Sequence, residues 1–203
     1  MSARLPTRRA WLQRLVVLPV LPAGLAAGCS PAAGGFLATD LTGAEYARDL
    51  RLQDPQGQWR TLSEFKGRVV LLFFGFTQCP DVCPTALARA AEVMHLLGDD
   101  AARLQVIFVS VDPERDTPAL LRDYTAAFHP SFLGLRGSLE ATAATARDFK
   151  VFYRQVPTGS SYTLDHTALS YAYDPTGRLR LAIRHEAAAA DVAADLRRLL
   201  QGA

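Results

Sequence analysis

The sequence predicts an α/β domain with a mixed central sheet flanked by helices, one β-hairpin at its start and another late in the chain. A continuously apolar, β-rich run, Val69 to Gly75, reads as a strand buried on both faces, and Leu104 to Val111 reads as a second buried strand. Each is followed by a segment with helical start signals and helical apolar spacing, the pattern of strand-helix units. The 203 residues, 49% apolar and 21% charged, suffice for one well-packed core and carry no signature of disorder.

In chain order, residues 1–29 fall outside that domain. MSARLPTRRAWLQRL holds four arginines and no acid, and VVLPVLPAGLAAGC adds an apolar run ending in small residues, the pattern of an export signal. The run is interrupted by Pro19 and Pro22 and is shorter than the roughly 18 to 20 residues a membrane-spanning helix needs. Arg8-Arg9, followed by Ala10-Trp11-Leu12, resembles a twin-arginine export pattern. Leu25-Ala26-Ala27-Gly28-Cys29 resembles a bacterial lipobox, which makes Cys29 the candidate lipidation site and mature N-terminus. A lipid there would hold the protein to the outer, extracytoplasmic face of a membrane. Four of the 22 Lys and Arg precede Cys29 and none of the 20 Asp and Glu do, so the remainder has 18 basic against 20 acidic residues, a net charge of −2. Nucleic acid is thereby set aside as a partner.

Residues 30–45 are small and Gly/Pro-rich and read as a flexible tether, leaving 46–203 as the domain. Arg51-Leu52-Gln53 and Trp59 to Leu62 flank the turn Asp54-Pro55-Gln56-Gly57, an expected hairpin. After the strand at 69–75 comes FTQCPDVCPTAL, with Cys79 and Cys83 four residues apart and a proline after each. Pro84 suits the first turn of a helix to about Leu97 and makes Cys83 reluctant to be helical. Cys83 is therefore expected at the N-cap, with Cys79 in the turn before it. After the second buried strand, Thr117 caps a helix led by Pro118. Ser138 to Phe149 reads as another helix, Val151 to Gln155 as a short strand, and Tyr153 to Asp165 as a mobile loop with His166 starting the next strand. Ala168 to Tyr173 and Leu179 to Ile183 flank Asp174-Pro175-Thr176-Gly177 as the late hairpin. A final helix over about 191–201 turns Val192, Leu196, Leu199 and Leu200 inward.

With Cys29 assigned to lipid, Cys79 and Cys83 are the domain's one pair, placed in an oxidising compartment. A loop this short is a weak structural staple, because the entropy gained by cross-linking grows with loop length. A functional pair is the better reading. The start of a helix favours thiolate over thiol. Such a pair can close into a redox-active disulfide or, when reduced, offer two soft ligands suited to copper more than to hard ions. Spacing does not choose the third ligand among His95, His129, His166 and His185. Structural zinc would want four ligands, and a methionine-rich copper carrier is excluded because Met94 is the single methionine after the signal.

A pair placed between the first buried strand and its helix is the thioredoxin-like layout. GRVVLLFFGFTQCPDVCPTAL, VSVDPERDTPALLRDYTAAF and DHTALSYAYDPTGRL, in that order across residues 45–203, resemble the Sco/SenC family of copper-binding assembly factors for cytochrome c oxidase. The resemblance implies a thioredoxin-like fold and one copper bound by Cys79, Cys83 and His166. It also implies a role outside the cytoplasm, delivering copper to the CuA site of oxidase subunit II or reducing the cysteines of that site with the help of a thiol reductant. Asp165 is expected to orient the His166 ring. Asp112 and Asp116, in the loop beside the cysteines, are expected to cap and shape that loop ahead of ligating directly, with a partner surface or tuning of the site as their functional alternatives.

Overall fold

The computed structural model describes residues 35–203. Cys29, Arg8 and Arg9 lie outside the described residues. In chain order the elements are β1 (Thr39–Asp40), β2 (Leu52–Gln53), β3 (Trp59–Arg60), β4 (Val69–Gly75), α1 (Val82–Leu97), β5 (Leu104–Ser110), α2 (Pro118–Phe128), β6 (Leu133–Leu135), α3 (Leu139–Asp148), β7 (Tyr153–Thr158), β8 (Ser161–His166), β9 (Leu169–Tyr173), β10 (Leu179–Arg184) and α4 (Ala189–Leu200).

The central sheet has the order β1-β10-β9-β4-β5-β6. β4, β5 and β6 run parallel, whereas β9 is antiparallel to β4, and β10 to β9, so the sheet is mixed as expected. Every residue of β4 and β5 is buried, which accounts for the unbroken apolar sequence of β4 and for a β5 whose polar residues are only Gln105 and the terminal Ser110. Successive side chains on β4 face opposite ways. Phe74 meets Phe149 at the end of α3, at a centroid distance of 5.1 Å, while Phe73 lies against Phe108 on the other face. That second face is where the site forms. α1 buries Ala86, Leu87, Ala90, Val93, Met94 and Leu97, and α4 packs beside it with Val192, Leu196, Leu199 and Leu200 inward. Each such leucine, fully buried, stabilises the fold by about 1.5–3 kcal/mol. Thr117 caps α2 through its hydroxyl, as its sequence predicts, and Ser138 caps α3 in the same way.

Four expectations need correction. The tether expected to reach residue 45 is docked over much of that length. The N–H groups of Leu37 and Ala38 donate to the buried Asp195 carboxylate at 2.8–3.0 Å, and Thr39 and Asp40 pair with Ala182 and Leu181. A buried carboxylate on α4 needs those donors, and its sequence distance from residue 37 hid the pairing.

The segment expected as a mobile loop, Tyr153 to Asp165, is an antiparallel hairpin. β7 and β8 pair in continuous register from Tyr153↔His166 to Thr158↔Ser161, with Gly159 turning at positive φ. It forms a two-stranded sheet apart from the central one, and His166 ends β8 instead of starting a strand.

The third correction concerns α1, which starts at Val82, so Cys83 lies inside its first turn and not at the N-cap. A first-turn N–H has no intrahelical acceptor, so Pro84 removes nothing there. The fourth is β6, a three-residue strand that has no counterpart in the sequence reading.

Candidate metal centre

β4 delivers the cysteine loop at its carboxyl end, and the loop after β5 opens beside it, the two strand ends tied by Val111 N–H donating to the Gly75 carbonyl at 2.8 Å. Asp116, fully buried, grips the start of the cysteine loop. Its carboxylate accepts the Thr77 hydroxyl at 2.6 Å, the Thr77 N–H at 3.2 and 3.3 Å, and the Ser110 hydroxyl at 2.6 Å. Burial pushes the Asp116 carboxyl up from the ordinary carboxylate range, and these hydrogen bonds oppose that rise. Asp112 is equally buried and is engaged by Arg115 and by the Tyr162 hydroxyl. The two aspartates shape their loop, as expected, and neither belongs to the triad of candidate ligands.

The side chain of Asp81, at the α1 N-cap, makes no capping hydrogen bond. The Cys79 sulfur lies just ahead of that helix start, where the Cys83 thiol above all, and also the His166 ring and the backbone N–H groups of Asp81 and Cys83, favour its charged form. Cys79 is thereby held well below the ordinary thiol range, against the effect of its own burial. Cys83, with no exposed surface, is pushed up, first because its proton serves Cys79 and then because burial disfavours its charge. The pair therefore holds one thiolate and one thiol, the thiolate on the half-exposed Cys79.

That division gives a measurable result. In the reduced chain, iodoacetamide should modify Cys79 first. Its rate should stay nearly flat as the pH falls from 8 to 5, where an ordinary thiol of pKa about 8.5 slows roughly tenfold per unit. Mass mapping of the labelled peptide at each pH checks this, and an ordinary thiol profile would refute the assignment.

His166 completes the group. Its Nε2 lies 3.4 Å from the Cys83 Sγ, and the three candidate ligand atoms of Cys79, Cys83 and His166 all fall within 4.8 Å of one another. Its Nδ1 is 3.1 Å from the Thr167 carbonyl, to which a proton on Nδ1 donates. This fixes the tautomer that turns the Nε2 lone pair toward the sulfurs. The expected orienting partner, Asp165, is instead exposed and paired with Arg154 at 2.8 Å, so a backbone carbonyl does the work assigned to it. The rings of Phe73 and Phe76 meet the imidazole edge-on at 5.9 and 5.8 Å and confine it. Among the described residues these three form the one cluster of histidine, cysteine or carboxylate groups suited to a metal ion. Two sulfurs and an imidazole, brought together from three separate elements, could hold one soft or borderline ion.

The family model described as SCO1/SenC matches residues 38–201. The chain belongs to the SCO1/SenC family. Among SCO1/SenC relatives, the chain is 38% identical to the SCO2-like protein of Rickettsia felis over 133 residues, covering 64% of this chain and 65% of that one. It thus spans a little less than two thirds of that relative's length. Two solved SCO1/SenC structures are similar throughout their own length. ScoI of Bradyrhizobium japonicum with copper bound is 41% identical with a TM-score of 0.69, covering 74% of this chain and 97% of that one. Apo Sco1 of Thermus thermophilus is 45% identical with a TM-score of 0.74, covering 83% and 99%. The fold of the SCO1/SenC domain here is accordingly thioredoxin-like, with the mixed sheet and flanking helices described above.

Three residues that shape this SCO1/SenC site were not singled out in the sequence. Gly75 has its reason in space: a Cβ there would come within 2.6 Å of the Cys83 sulfur. Thr77 and Tyr162 were assigned no role in the site. Their weight comes from Asp116 and Asp112, which lie far from them in the chain.

Proposed function

We propose that the chain binds one copper ion through Cys79, Cys83 and His166 and hands it on during assembly of the CuA site in subunit II of cytochrome c oxidase. The observation that carries this reading is the convergence of the two sulfurs and His166 Nε2 at the carboxyl edge of the sheet. Thiolate and imidazole donors suit copper in either common oxidation state, and the similar Bradyrhizobium protein is described with copper bound. Copper supplies no chemistry of its own here; it is cargo. The chain's part is to present a pre-formed thiolate on Cys79, a second sulfur that gives up its proton on loading, and an imidazole already in the required tautomer. Cys29, as a lipid-bearing N-terminus after export, would place the domain at the outer face of a membrane. Among the described residues no helix is long and apolar enough to cross one.

A second reading has an observation of its own. A half-exposed thiolate on Cys79 beside a buried, protonated Cys83 is the arrangement of an attacking and a resolving thiol. Cys79 would open a disulfide of the target, forming a mixed disulfide. Cys83 would then close on Cys79 and release the target's two thiols, and an external thiol reductant would restore the pair. The bonds that form and break in that exchange are between sulfurs, and His166 bears on it only by helping to hold Cys79 in its charged form.

His166→Ala separates the two. Copper retained after dialysis of the reduced chain should be about one per wild-type molecule, and the variant's affinity should fall at least about tenfold, roughly 1.4 kcal/mol. Disulfide reduction should stay within about twofold of wild type. If cells carrying His166→Ala assemble oxidase as well as wild type, copper delivery is the wrong function and the exchange reading takes its place.

A further inference from the structure

The hairpin that carries His166 stands apart from the central sheet, and a two-stranded hairpin is marginal in water by itself. Its attachment to the rest of the domain therefore decides where the imidazole sits. The exposed Arg154–Asp165 pair lies between its own two strands and anchors nothing to the core. Leu164 is buried. Apart from the contact of His166 with Cys83, the hairpin's polar attachments to the rest of the domain come from the loop after β5, through Asp112 and through Arg115, five residues beyond that strand.

The Arg115 guanidinium lies 3.7 Å from the centroid of the Tyr162 ring, and its Nη1 donates to the Tyr162 carbonyl at 2.7 Å. Its Nε donates to one oxygen of the buried Asp112 carboxylate, whose other oxygen accepts the Tyr162 hydroxyl at 2.9 Å. On its far side the guanidinium faces Phe76 at 5.9 Å, the ring that confines His166. Arg115 is thus wedged between the cysteine loop and the histidine hairpin. The same short loop holds the cysteine side through Asp116 and Thr77. One loop, 112–116, grips both halves of the site.

We infer that Arg115, with Asp112 and Tyr162, is a latch that positions His166: closed, it brings the imidazole to the cysteine pair; open, it leaves a two-sulfur site. The proposal rests on copper binding by Cys79, Cys83 and His166. A planar fork is needed, because only a guanidinium can donate to a carboxylate and a carbonyl while covering an aromatic ring. Lysine in its place keeps the charge beside Asp112 but not the fork.

Arg115→Ala and Arg115→Lys test this, beside wild type and His166→Ala. In the metal-free chain, amide exchange over residues 153–166 should quicken at least tenfold in Arg115→Ala and about threefold or more in Arg115→Lys, with β4 and β5 unchanged. In the Cu(II)-loaded chain, both variants should keep sulfur-to-copper charge-transfer absorption while the magnetic coupling to an imidazole nitrogen is weakened or lost, as in His166→Ala. Rapid hairpin exchange together with lost nitrogen coupling supports the latch. Wild-type exchange and coupling in both variants overturn it. Arg115→Lys keeps Asp112 paired, so it reads the same two quantities should Arg115→Ala fail to fold. If wild type takes up no copper, the proposed function fails, and the exchange of the metal-free variants still decides whether Arg115 holds the hairpin.

Discussion

Closing Cys79 and Cys83 into a disulfide should weaken copper uptake at least about a hundredfold, a loss of roughly 2.7 kcal/mol or more. Oxidation consumes the Cys79 thiolate and the Cys83 thiol together, and the single donor left in the cluster is the imidazole of His166. Neither aspartate nearby can substitute. Asp116 is committed to Thr77 and Ser110, and Asp112 to Arg115 and Tyr162. One imidazole is a poor site for any ion the pair would hold. Equilibrium dialysis of reduced and oxidised chain against buffered copper measures this, with about one copper per reduced chain and almost none on the oxidised form. Equal uptake by the two forms would show that the sulfurs are not the ligands. With the expected result, thiol redox state gates loading, and whatever reduces the pair controls copper entry.

Gly75→Ala should be the most damaging small substitution near the site. Its new Cβ would come within 2.6 Å of the Cys83 sulfur and 2.8 Å of the Phe108 ring, both of them buried. Such overpacking costs about 1–3 kcal/mol, which for a domain of this size lowers Tm by roughly 2–4 °C per kcal/mol. The sulfur is the more movable neighbour, so Cys83 should shift and copper affinity drop at least tenfold. Gly134→Ala supplies the control, since a Cβ there meets the buried Leu121 at 2.5 Å on β6, away from the cysteines. It should melt at a similarly lowered temperature yet bind copper within about twofold of wild type. Equal copper affinities in the two variants would mean that Gly75 matters for packing alone.

The buried frame of the fold was legible because burial on both faces leaves a plain mark: Val69 to Gly75 is apolar without a break, and Leu104 to Ser110 is broken only by Gln105 before its terminal serine. The cap Thr117 was equally plain, since capping is a local hydrogen bond between residues three apart. What stayed hidden depends on partners distant in the chain. β7 and β8 carry Pro157, Gly159 and several hydroxyls, the composition of a loop, and they are held as strands by each other and by Arg115 and Asp112. β1 is two residues long and exists by leave of β10 and Asp195. The cysteine pair announced itself by type, spacing and flanking prolines. His166 did not, because its selection over three other histidines is made by the fold and, in the sequence, was carried by family resemblance. The orienting role expected of Asp165 went to a carbonyl, which no sequence can mark.

The strand order has a kinetic meaning. β4, which ends at the cysteine loop, is completed on one side by β5 and on the other by β9, a strand from the last fifth of the chain. Cys83 and His166 meet across a separation of 83 residues. Pairings this remote in sequence form late, after much loop-closure entropy has been overcome. A chain still emerging, or one cut short before β9, therefore carries both sulfurs without the geometry to hold an ion between them and the imidazole. Ligand binding confined to the finished fold adds to its stability by mass action. Metal occupancy is then a report that the whole polypeptide has been made and folded, from its first docked strand to its last helix.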